Sequence, residues 1–359
     1  MILIAFGTRP EIIKLFPVVS ELKRRGIAHQ TLFTGQQTDL YEDVKELVPP
    51  PDFSFADFFS GGQKHNTLGG SYVKICQAAE TLYSRNRFDV VVVQGDTTTA
   101  WALAQMAFYN GVRIAHVEAG LRTFDLMNPY PEELNRTLIT QIADYNFAPT
   151  RQAFATLEKS GARNIHLAGN TIVDAVEYFK KTLQLRVQVT SLVPVTLHRR
   201  ENHAIMGDLF RELETIANRN RDLELVLPIH PNPNVQKHRH LLKAPNIRVI
   251  EPVGYPDMLR MISRAAFLIT DSGGIQEEAT CFNKKVIIAR EKTERPEVVE
   301  IGLGGLAGRE LAKAVPWACI PPLPLEVSPY GDGHAAEKIV DILFGGSSEA
   351  SPRKRGSGT

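Results

Sequence analysis

The chain is poor in three features that would place it in a specialised class: cysteine, an excess of charge of one sign, and long apolar segments. It has three cysteines, Cys76, Cys281 and Cys319, which are too widely spaced for a disulfide framework or a metal-ligand motif. The 41 basic and 40 acidic residues give a formal net charge of +1, so no overall field attracts nucleic acid or an anionic membrane. We therefore expect any anion to be bound by a local site.

The apolar runs have the length of β-strands, which excludes a membrane-spanning helix. The first run, at 2–6, has no basic residues before it and leads into Gly7, so we interpret it as a strand and not as a signal peptide. Because the cysteines show no oxidised pattern either, we expect a cytoplasmic protein. The sequence has neither a Walker A motif nor a dinucleotide-binding fingerprint.

Short apolar runs alternate with amphipathic helical patterns. Most runs are continuously apolar, as in strands that a parallel sheet buries on both faces. Eleven strands are too many for one open sheet, and 359 residues are too many for one ordinary core. The pattern therefore predicts an α/β fold with two doubly wound, Rossmann-like domains and a cleft between them. The predicted strands are 2–6, 30–34, 89–94, 112–117, 145–148, 165–168, 192–197, 223–229, 247–250, 266–270 and 285–289.

The predicted domain break falls near Gly169, after the sixth strand. A proline-rich segment at 316–330 is interpreted as a linker that leads to the last helix. The predicted parts are a first domain at 1–169, a second domain at 170–330, a C-terminal helix at 331–345 that packs back on the first domain, and a disordered tail at 346–359.

Charged side chains follow three of the strands in the first half. Arg9 stands at the end of the first strand and Lys14 about one helical turn later, so both can face an anion; a solvated basic pair is the alternative. Asp96 and Glu118 end two successive strands, and their carboxylates lie close together if those strands are neighbours. For Asp96 the alternative is a helix N-cap, a role that Thr97 can also fill.

A third acid, Glu132, stands beside Glu133 in the first turn of a later helix, where the helix dipole alone accounts for acidic residues. Three carboxylates that converge on one cleft are harder to explain structurally. Crowded, desolvated carboxylates have raised pKa values, which keeps one acid protonated beside an ionised base. The pattern indicates proton transfer at a sugar carbon.

The second half carries cationic and anion-binding patterns. His198 and Arg199 follow the strand at 192–197 and suit a pyrophosphate or a leaving phosphate. His230 ends the next strand; a zinc site shared with His198 is the alternative, although no pair at metal-ligand spacing supports it. Arg295 lies in a segment, 293–297, that lines the sugar pocket or supports this arginine.

The most informative segment is 267–278, an apolar strand that breaks at Asp-Ser-Gly-Gly (271–274) into a helix start. The free N–H groups of such a turn and the positive end of the helix dipole favour a phosphate. Glu278 lies about one turn further on, where its carboxylate can accept hydrogen bonds from sugar hydroxyls. The alternative is an ordinary glycine-rich turn followed by a surface glutamate.

Together these motifs resemble the non-hydrolysing UDP-N-acetylglucosamine 2-epimerase family. Eight motifs appear in the family's order. They are Gly-Thr-Arg-Pro-Glu, Gly-Asp-Thr-Thr-Thr, His-Val-Glu-Ala-Gly-Leu-Arg-Thr, Pro-Glu-Glu-x-Asn-Arg, His-Arg-Arg-Glu, Asp-Ser-Gly-Gly-Ile-Gln-Glu-Glu, Thr-Glu-Arg-Pro-Glu and Pro-Tyr-Gly-Asp-Gly. The resemblance runs from residue 2 to about 344. It implies two domains of the glycosyltransferase-B type, the second of which binds UDP, and usually a homodimer. It implies no metal or redox cofactor.

The resemblance also implies a mechanism. Carbon 2 of the sugar is not acidic, so the family removes UDP across C1–C2 to give a glycal and adds it back with the opposite C2 configuration. By similarity, the catalytic residues are Asp96, Glu118, Glu132 and His198, and the residues that bind substrate are Arg9, Lys14, Arg136, Arg199, His230, Ser272, Gly273, Gly274, Glu278 and Arg295.

Departures from the family's pattern concern regulation and specificity. Residues 36–39 and 65–66 differ from those that form a second, regulatory UDP-sugar site in the family, which argues against activation by substrate. The segment 203–205 is unusual and puts the N-acetylglucosamine specificity in question. The Thr-Arg-Pro-Glu motif, from which hydrolysing relatives usually depart, is intact.

We therefore predict an epimerase that interconverts UDP-N-acetylglucosamine (UDP-GlcNAc) and UDP-N-acetylmannosamine (UDP-ManNAc) for surface polysaccharide precursors. Within the same fold, the alternatives are a hydrolysing enzyme that releases ManNAc and UDP, and a 2-epimerase for a 3-acetamido or uronic acid UDP-sugar. A glycosyltransferase and a non-catalytic UDP-sugar sensor are further alternatives. Turnover without an acceptor separates the epimerase from both of these.

Overall fold

The computed structural model describes residues 1–35, 47–58, 67–325 and 328–345. The predicted tail at 346–359 lies outside these ranges, as do the residues compared with a regulatory site, 36–39 and 65–66. Within the described ranges, every helix is too short or too polar to cross a membrane.

The chain forms two compact units. The first contains Met1–Ala175 and the described residues from Tyr330 onward, and the second contains Val176–Pro329. The division falls within a helix, Thr171–Thr182, after the predicted break near residue 169. The predicted domain boundaries stay predictions.

Strands and helices alternate in the first unit. Its described strands are β1 (Ile2–Phe6), β2 (His29–Phe33), β3 (Phe53–Ser54), β4 (Val90–Gln94), β5 (Arg113–Val117), β6 (Tyr145–Ala148) and β7 (Ile165–Leu167). Its helices are α1 (Arg9–Arg24), α2 (Leu68–Arg85), α3 (Thr98–Tyr109), α4 (Glu132–Ile142), α5 (Arg151–Lys159) and the start of α6 (Thr171–Thr182).

The second unit repeats the alternation. Its described strands are β8 (Leu192–Thr196), β9 (Glu224–Pro228), β10 (Ile247–Ile250), β11 (Leu268–Thr270), β12 (Val286–Ile288) and β13 (Gly304–Leu306). Its helices are α7 (Met206–Arg219), α8 (Pro233–Gln236), α9 (Tyr255–Arg264), α10 (Gly273–Cys281), α11 (Pro296–Glu300) and α12 (Leu311–Cys319). The last described helix, α13 (Ala335–Gly345), belongs to the first unit.

Each unit has one parallel sheet of described strands. The order is β3-β2-β1-β4-β5-β6-β7 in the first and β10-β9-β8-β11-β12-β13 in the second. This doubly wound order confirms the predicted fold class. The strand order reverses between β1 and β4 and between β8 and β11, and in such sheets a ligand binds at the carboxyl ends of the strands at that point.

The structure differs from the prediction in three short segments. All eleven predicted strands are present. Strands β3 and β13 were not predicted, because β3 has only two residues and β13 begins with two glycines, so neither forms an apolar run. The linker predicted from 316 is also partly wrong, since α12 continues through Pro316 to Cys319. There Lys285 donates to the Trp317 carbonyl and lies over its ring, so tertiary packing holds this last turn.

Helix α13 packs against α1 in the first unit. Arg25 at the end of α1 bonds Asp341 of α13 at 2.5 Å. The Asp174 carboxylate of α6 accepts hydrogen bonds from the backbone N–H groups of Ala335 and Ala336, at 3.2 and 2.8 Å. These bonds satisfy N–H groups of the first turn of α13, which have no partner within the helix.

Gly7, between β1 and α1, shows how closely the loops approach at the edge of the first sheet. A Cβ atom there would lie 2.2 Å from the Thr34 hydroxyl and 2.3 Å from the Thr99 hydroxyl. Both threonines are fully buried, and their hydroxyls bond each other at 2.9 Å. The turn that carries Arg9 therefore fits only with glycine at this position.

We expect Gly7→Ala to lower the free energy of unfolding by about 1 to 3 kcal/mol, because an added methyl group overpacks a closed site. Gly69, in the first turn of α2, is the matched control, since a Cβ there meets open space. Gly69→Ala should raise stability by about 0.5 to 1 kcal/mol. Chemical denaturation measures both; the same sign for both substitutions would contradict the packing argument.

Candidate active site

Glu118 directly follows β5 at the carboxyl edge of the first sheet. Its carboxylate accepts hydrogen bonds from the Lys14 ammonium and from the Gln94 amide, the latter at 3.0 Å. The side chains of Glu118 and Lys14 are only 7% and 6% exposed, so the two charges compensate each other out of water. Glu118 also has a backbone φ of 65°, which is uncommon outside glycine and recurs at functional sites.

Asp96 follows β4, which pairs directly with β5, as the prediction of neighbouring strands required. Its carboxylate lies 2.5 Å from Arg136, and its backbone carbonyl accepts a hydrogen bond from the Asn135 amide at 2.8 Å. The N-cap of α3 is Thr97, whose hydroxyl accepts from the Ala100 N–H. The alternative interpretation of Asp96 as the N-cap is therefore wrong, and its side chain is available for the site.

The structure separates the two adjacent acids of α4. Glu133 is 1% exposed and accepts hydrogen bonds from the backbone N–H groups of Thr123 and Phe124, at 3.1 and 3.0 Å. Its carboxylate also lies 3.4 Å from Arg136, so this acid holds the 121–124 loop in place. Glu132, the predicted catalytic acid, is half-buried at the first position of α4.

Glu11 is a buried acid to which the sequence analysis gave no role. One carboxylate oxygen accepts from Gly7 N–H at 3.0 Å and from the Thr8 hydroxyl at 2.8 Å, and the other accepts from the Thr97 hydroxyl at 2.7 Å. It thus joins the turn that carries Arg9 to the turn after Asp96. The Thr-x-x-Glu spacing at 8–11 is that of a capping box and was the available signal.

His116 of β5 supports the same edge of the sheet. It is fully buried, and its Nε2 bonds the Gly95 carbonyl at 2.7 Å. Burial lowers the pKa of His116 to about 4, so the ring is neutral at physiological pH. Gly95 itself has a φ of 66°, and the bond fixes the turn that leads to Asp96.

In the second unit, the turn after β8 is held by Asp271, which follows β11 and is fully buried. Its carboxylate accepts from the backbone N–H groups of His198 and Arg199 and from the Asn202 amide, at 2.9 to 3.1 Å. His198 and His230 stack with ring centroids 5.5 Å apart and planes 17° apart. Among the described residues, no group of three or more His, Cys, Asp or Glu side chains is arranged to hold a metal ion.

The start of α10 has the geometry expected of a phosphate turn. Ser272 is the N-cap and makes no side-chain cap bond; its N–H donates to the Thr270 hydroxyl at 2.9 Å. A Cβ at Gly274 would meet open space, whereas one at Gly273 would lie 2.3 Å from the Arg295 guanidinium. The glycines therefore leave room on one side for a ligand and on the other for Arg295. Glu278 is buried in the same helix.

Arg295 belongs to a buried chain of ion pairs behind this turn. Its guanidinium bonds Glu277 at 2.6 Å and Glu294 at 2.5 Å. Arg290 continues the chain, with bonds of 2.8 Å to Glu294 and 2.5 Å to Glu201 in the loop that follows His198. These contacts give Arg295 a supporting position, and its predicted contact with substrate stays a prediction.

Comparisons with known proteins identify relatives of this chain. A family model described as UDP-N-acetylglucosamine 2-epimerase matches residues 20–344. A UDP-N-acetylglucosamine 2-epimerase of Campylobacter jejuni is 37% identical, over 98% of this chain and 99% of that protein. The Neisseria meningitidis UDP-GlcNAc 2-epimerase, solved with UDP-GlcNAc bound, has a TM-score of 0.88 and 29% identity, over 96% of this chain and 99% of that chain.

Two further solved structures extend the comparison. The Methanocaldococcus jannaschii UDP-GlcNAc 2-epimerase, in complex with UDP-GlcNAc and UDP, has a TM-score of 0.82 and 34% identity, with 96% of this chain and 99% of that chain covered. The calicheamicin glycosyltransferase CalG4 has a TM-score of 0.53 at 16% identity, over 95% of this chain and 94% of that chain, which is a likeness of fold alone. It supports the predicted glycosyltransferase-B type of fold.

Glu11 gives a pH-dependent prediction. Burial raises the pKa of Glu11 from 4.5 to about 7, against hydrogen bonds from Thr97, Thr8 and Gly7 that lower it. Between pH 4.5 and about pH 7, the Glu11 carboxyl of the folded protein holds a proton that the carboxyl of the unfolded chain has lost. Its contribution to the free energy of unfolding therefore falls as the pH rises, by about 2 to 3 kcal/mol between about pH 5 and about pH 8.

The variant Glu11→Gln cannot ionise, so the difference in stability between wild type and variant should change with pH by that amount. Urea denaturation at a series of pH values measures it. The exposed Glu158→Gln variant is the control, and its stability should run parallel to that of the wild type. Parallel curves for Glu11→Gln as well would contradict the assignment.

Proposed function

The chain belongs to the UDP-N-acetylglucosamine 2-epimerase family, and from this we propose that it interconverts UDP-GlcNAc and UDP-ManNAc by eliminating and re-adding UDP. One observation carries the proposal: two carboxylates at the ends of neighbouring strands, Glu118 and Asp96, are each compensated by a buried cation, Lys14 and Arg136. The relatives' names supply the substrate class, and the paired acids supply groups that can move protons.

The proposed reaction avoids an unfavourable carbanion. A base removes the C2 proton while the bond from C1 to the UDP oxygen breaks, so the electrons of the C2–H bond form the C1=C2 double bond and UDP leaves as the diphosphate anion. An acid then returns a proton to the other face of C2, and the diphosphate oxygen attacks C1. No atom is gained or lost, and only the C2 configuration changes.

We assign the proton transfers to Asp96, Glu118 and Glu132. Base and acid must act on opposite faces of C2, which requires at least two acid–base groups in different positions. Lys14 and Arg136 hold Glu118 and Asp96 in fixed orientations and compensate their charge. The left-handed backbone of Glu118 turns its side chain toward Lys14 at the end of β5.

We assign the nucleotide to the second unit. The Ser272 hydroxyl and the N–H groups of Gly273 and Gly274 suit the diphosphate, and Glu278 suits the ribose hydroxyls. The departing UDP carries negative charge, which cationic groups stabilise. The groups proposed to hold it are the cations Arg9 and Arg199 and the imidazoles of His198 and His230, with Arg295 in support.

We infer the non-hydrolysing reaction from the intact Thr-Arg-Pro-Glu motif. In the structure the Glu11 carboxylate of this motif accepts hydrogen bonds from the Gly7 N–H and the Thr8 hydroxyl, and these bonds hold the turn in place. A hydrolysing enzyme that releases ManNAc and UDP is the second candidate, since it forms the same glycal.

We also propose a homodimer, which the family resemblance implies. Helices α2 and α3 pack together, and Val73, Phe108 and Tyr109 on them are 51%, 42% and 69% exposed. Exposed apolar side chains of this kind are typical of an interface. Light scattering should give about twice the 39.9 kDa of one chain; the mass of a single chain at all concentrations would contradict the proposal.

The direct test is incubation with UDP-GlcNAc in deuterated water, followed by proton NMR of C2. We expect UDP-ManNAc with deuterium at C2, since the proton returned to carbon exchanges with solvent. Glu118→Gln and Asp96→Asn should each lower kcat by about 100-fold or more, whereas the exposed Glu158→Gln should not. Free ManNAc and UDP would favour the hydrolysing candidate. An absence of both exchange and product would contradict the assignment of UDP-GlcNAc as the substrate.

A further inference from the structure

The carboxylate of Asp271 faces the imidazole of His198. His198 Nδ1 lies 3.6 Å from Asp271 Oδ1, which is ion-pair distance but longer than a hydrogen bond. Asp271 is fully buried, whereas the His198 side chain is 36% exposed. The acid thus lies on the Nδ1 side of the ring, and the His198 side chain is partly exposed.

The two oxygens of Asp271 have different partners. Oδ2 accepts from His198 N–H at 2.9 Å, from Arg199 N–H at 2.9 Å and from the Asn202 amide at 3.1 Å. Oδ1 faces His198 Nδ1 and shares the His198 N–H at 3.1 Å. One oxygen therefore holds the loop, and the other presents negative charge to the ring.

Two further histidines lie near the His198 ring. His230 stacks on it, and His230 Nδ1 accepts from Asn232 N–H at 3.1 Å, so the His230 proton is on Nε2. Burial, followed by the charge of His203, lowers the pKa of His230, which keeps that ring neutral near pH 7. His203 lies on the far side, with its Nε2 3.3 Å from the His198 carbonyl.

We propose that Asp271 is a positioning residue that fixes the proton of His198 on Nδ1 and directs Nε2 toward the departing diphosphate. This rests on the function proposed above. A carboxylate opposite Nδ1 attracts the N–H of that atom, so the neutral ring carries its proton there. When the ring also binds a proton at Nε2, Asp271 stabilises the resulting charge. We expect the 3.6 Å separation to shorten to a hydrogen bond when substrate binds, since such bonds are often long in free enzymes.

The second oxygen makes Asp271→Asn a selective test. An Asn with its carbonyl at the Oδ2 position still accepts from His198, Arg199 and Asn202, so the loop is retained. Its NH₂ group then replaces the charge opposite His198 Nδ1. The matched control is Asn202→Ala, which removes the amide's hydrogen bonds to Asp271 and to the Ala289 carbonyl and leaves the carboxylate facing the ring.

The readout is ¹⁵N NMR of the histidine rings, with the His198 signals identified by their loss in His198→Gln. In the wild type we expect neutral His198 to carry its proton on Nδ1. In Asp271→Asn the proton should move to Nε2, and the ring should lose its second proton at a pH about 1 unit or more lower. Asn202→Ala should leave both properties unchanged.

Kinetics supply the second readout. Asp271→Asn should lower kcat by about 10- to 100-fold with little change in KM, the size of effect typical of losing one charge-assisted contact in the transition state. A purely structural role would instead raise KM through loss of the loop that carries Arg199.

Two results would overturn the proposal. One is a wild-type His198 whose neutral form carries its proton on Nε2, a measurement that needs no variant to fold. The other is Asp271→Asn with an unchanged tautomer and titration. A wild type that shows the expected tautomer but converts no UDP-GlcNAc would instead overturn the proposed function, and the pairing of Asp271 with His198 would stand.

Discussion

A carboxylate that leaves water at the end of a buried strand must be compensated, and the functional part of this structure depends on that constraint. Glu118 meets the Lys14 ammonium, Asp96 meets Arg136, and Asp271 is held by N–H groups of the loop that follows the neighbouring strand β8. Each partner also fixes the orientation of its acid. The contacts that compensate the charge of these buried acids are therefore also the contacts that position their side chains in the site.

The same arrangement occurs in both units because both sheets have the same strand order. In each, the strand order reverses between two neighbouring parallel strands, and the polar turns lie at the carboxyl ends there. The first unit uses these turns for acids and the second for histidine, arginine and free N–H groups. This division matches a reaction that moves protons on the sugar and accepts charge on the diphosphate.

Much of the fold was predictable from sequence, because continuously apolar runs and turn motifs are local signals. Gly7, Asp96 and Glu118 stand directly after such runs, and their position at the sheet edge followed from that alone. The roles of Glu11, Asp271 and the acids around Arg295 did not follow, since each depends on a partner distant in the sequence. Strands β3 and β13 were missed because the two residues of β3 and the Gly-Gly-Leu of β13 do not form an apolar run.

The central claim is that the bond from C1 to UDP breaks and re-forms in each turnover. UDP-GlcNAc labelled with a heavy oxygen isotope in the bridge between C1 and the β-phosphate tests it directly. If the diphosphate leaves, its terminal oxygens become equivalent by rotation, and recovered UDP-GlcNAc should carry the label in non-bridging positions. Formation of UDP-ManNAc with the label retained entirely in the bridge would contradict the account.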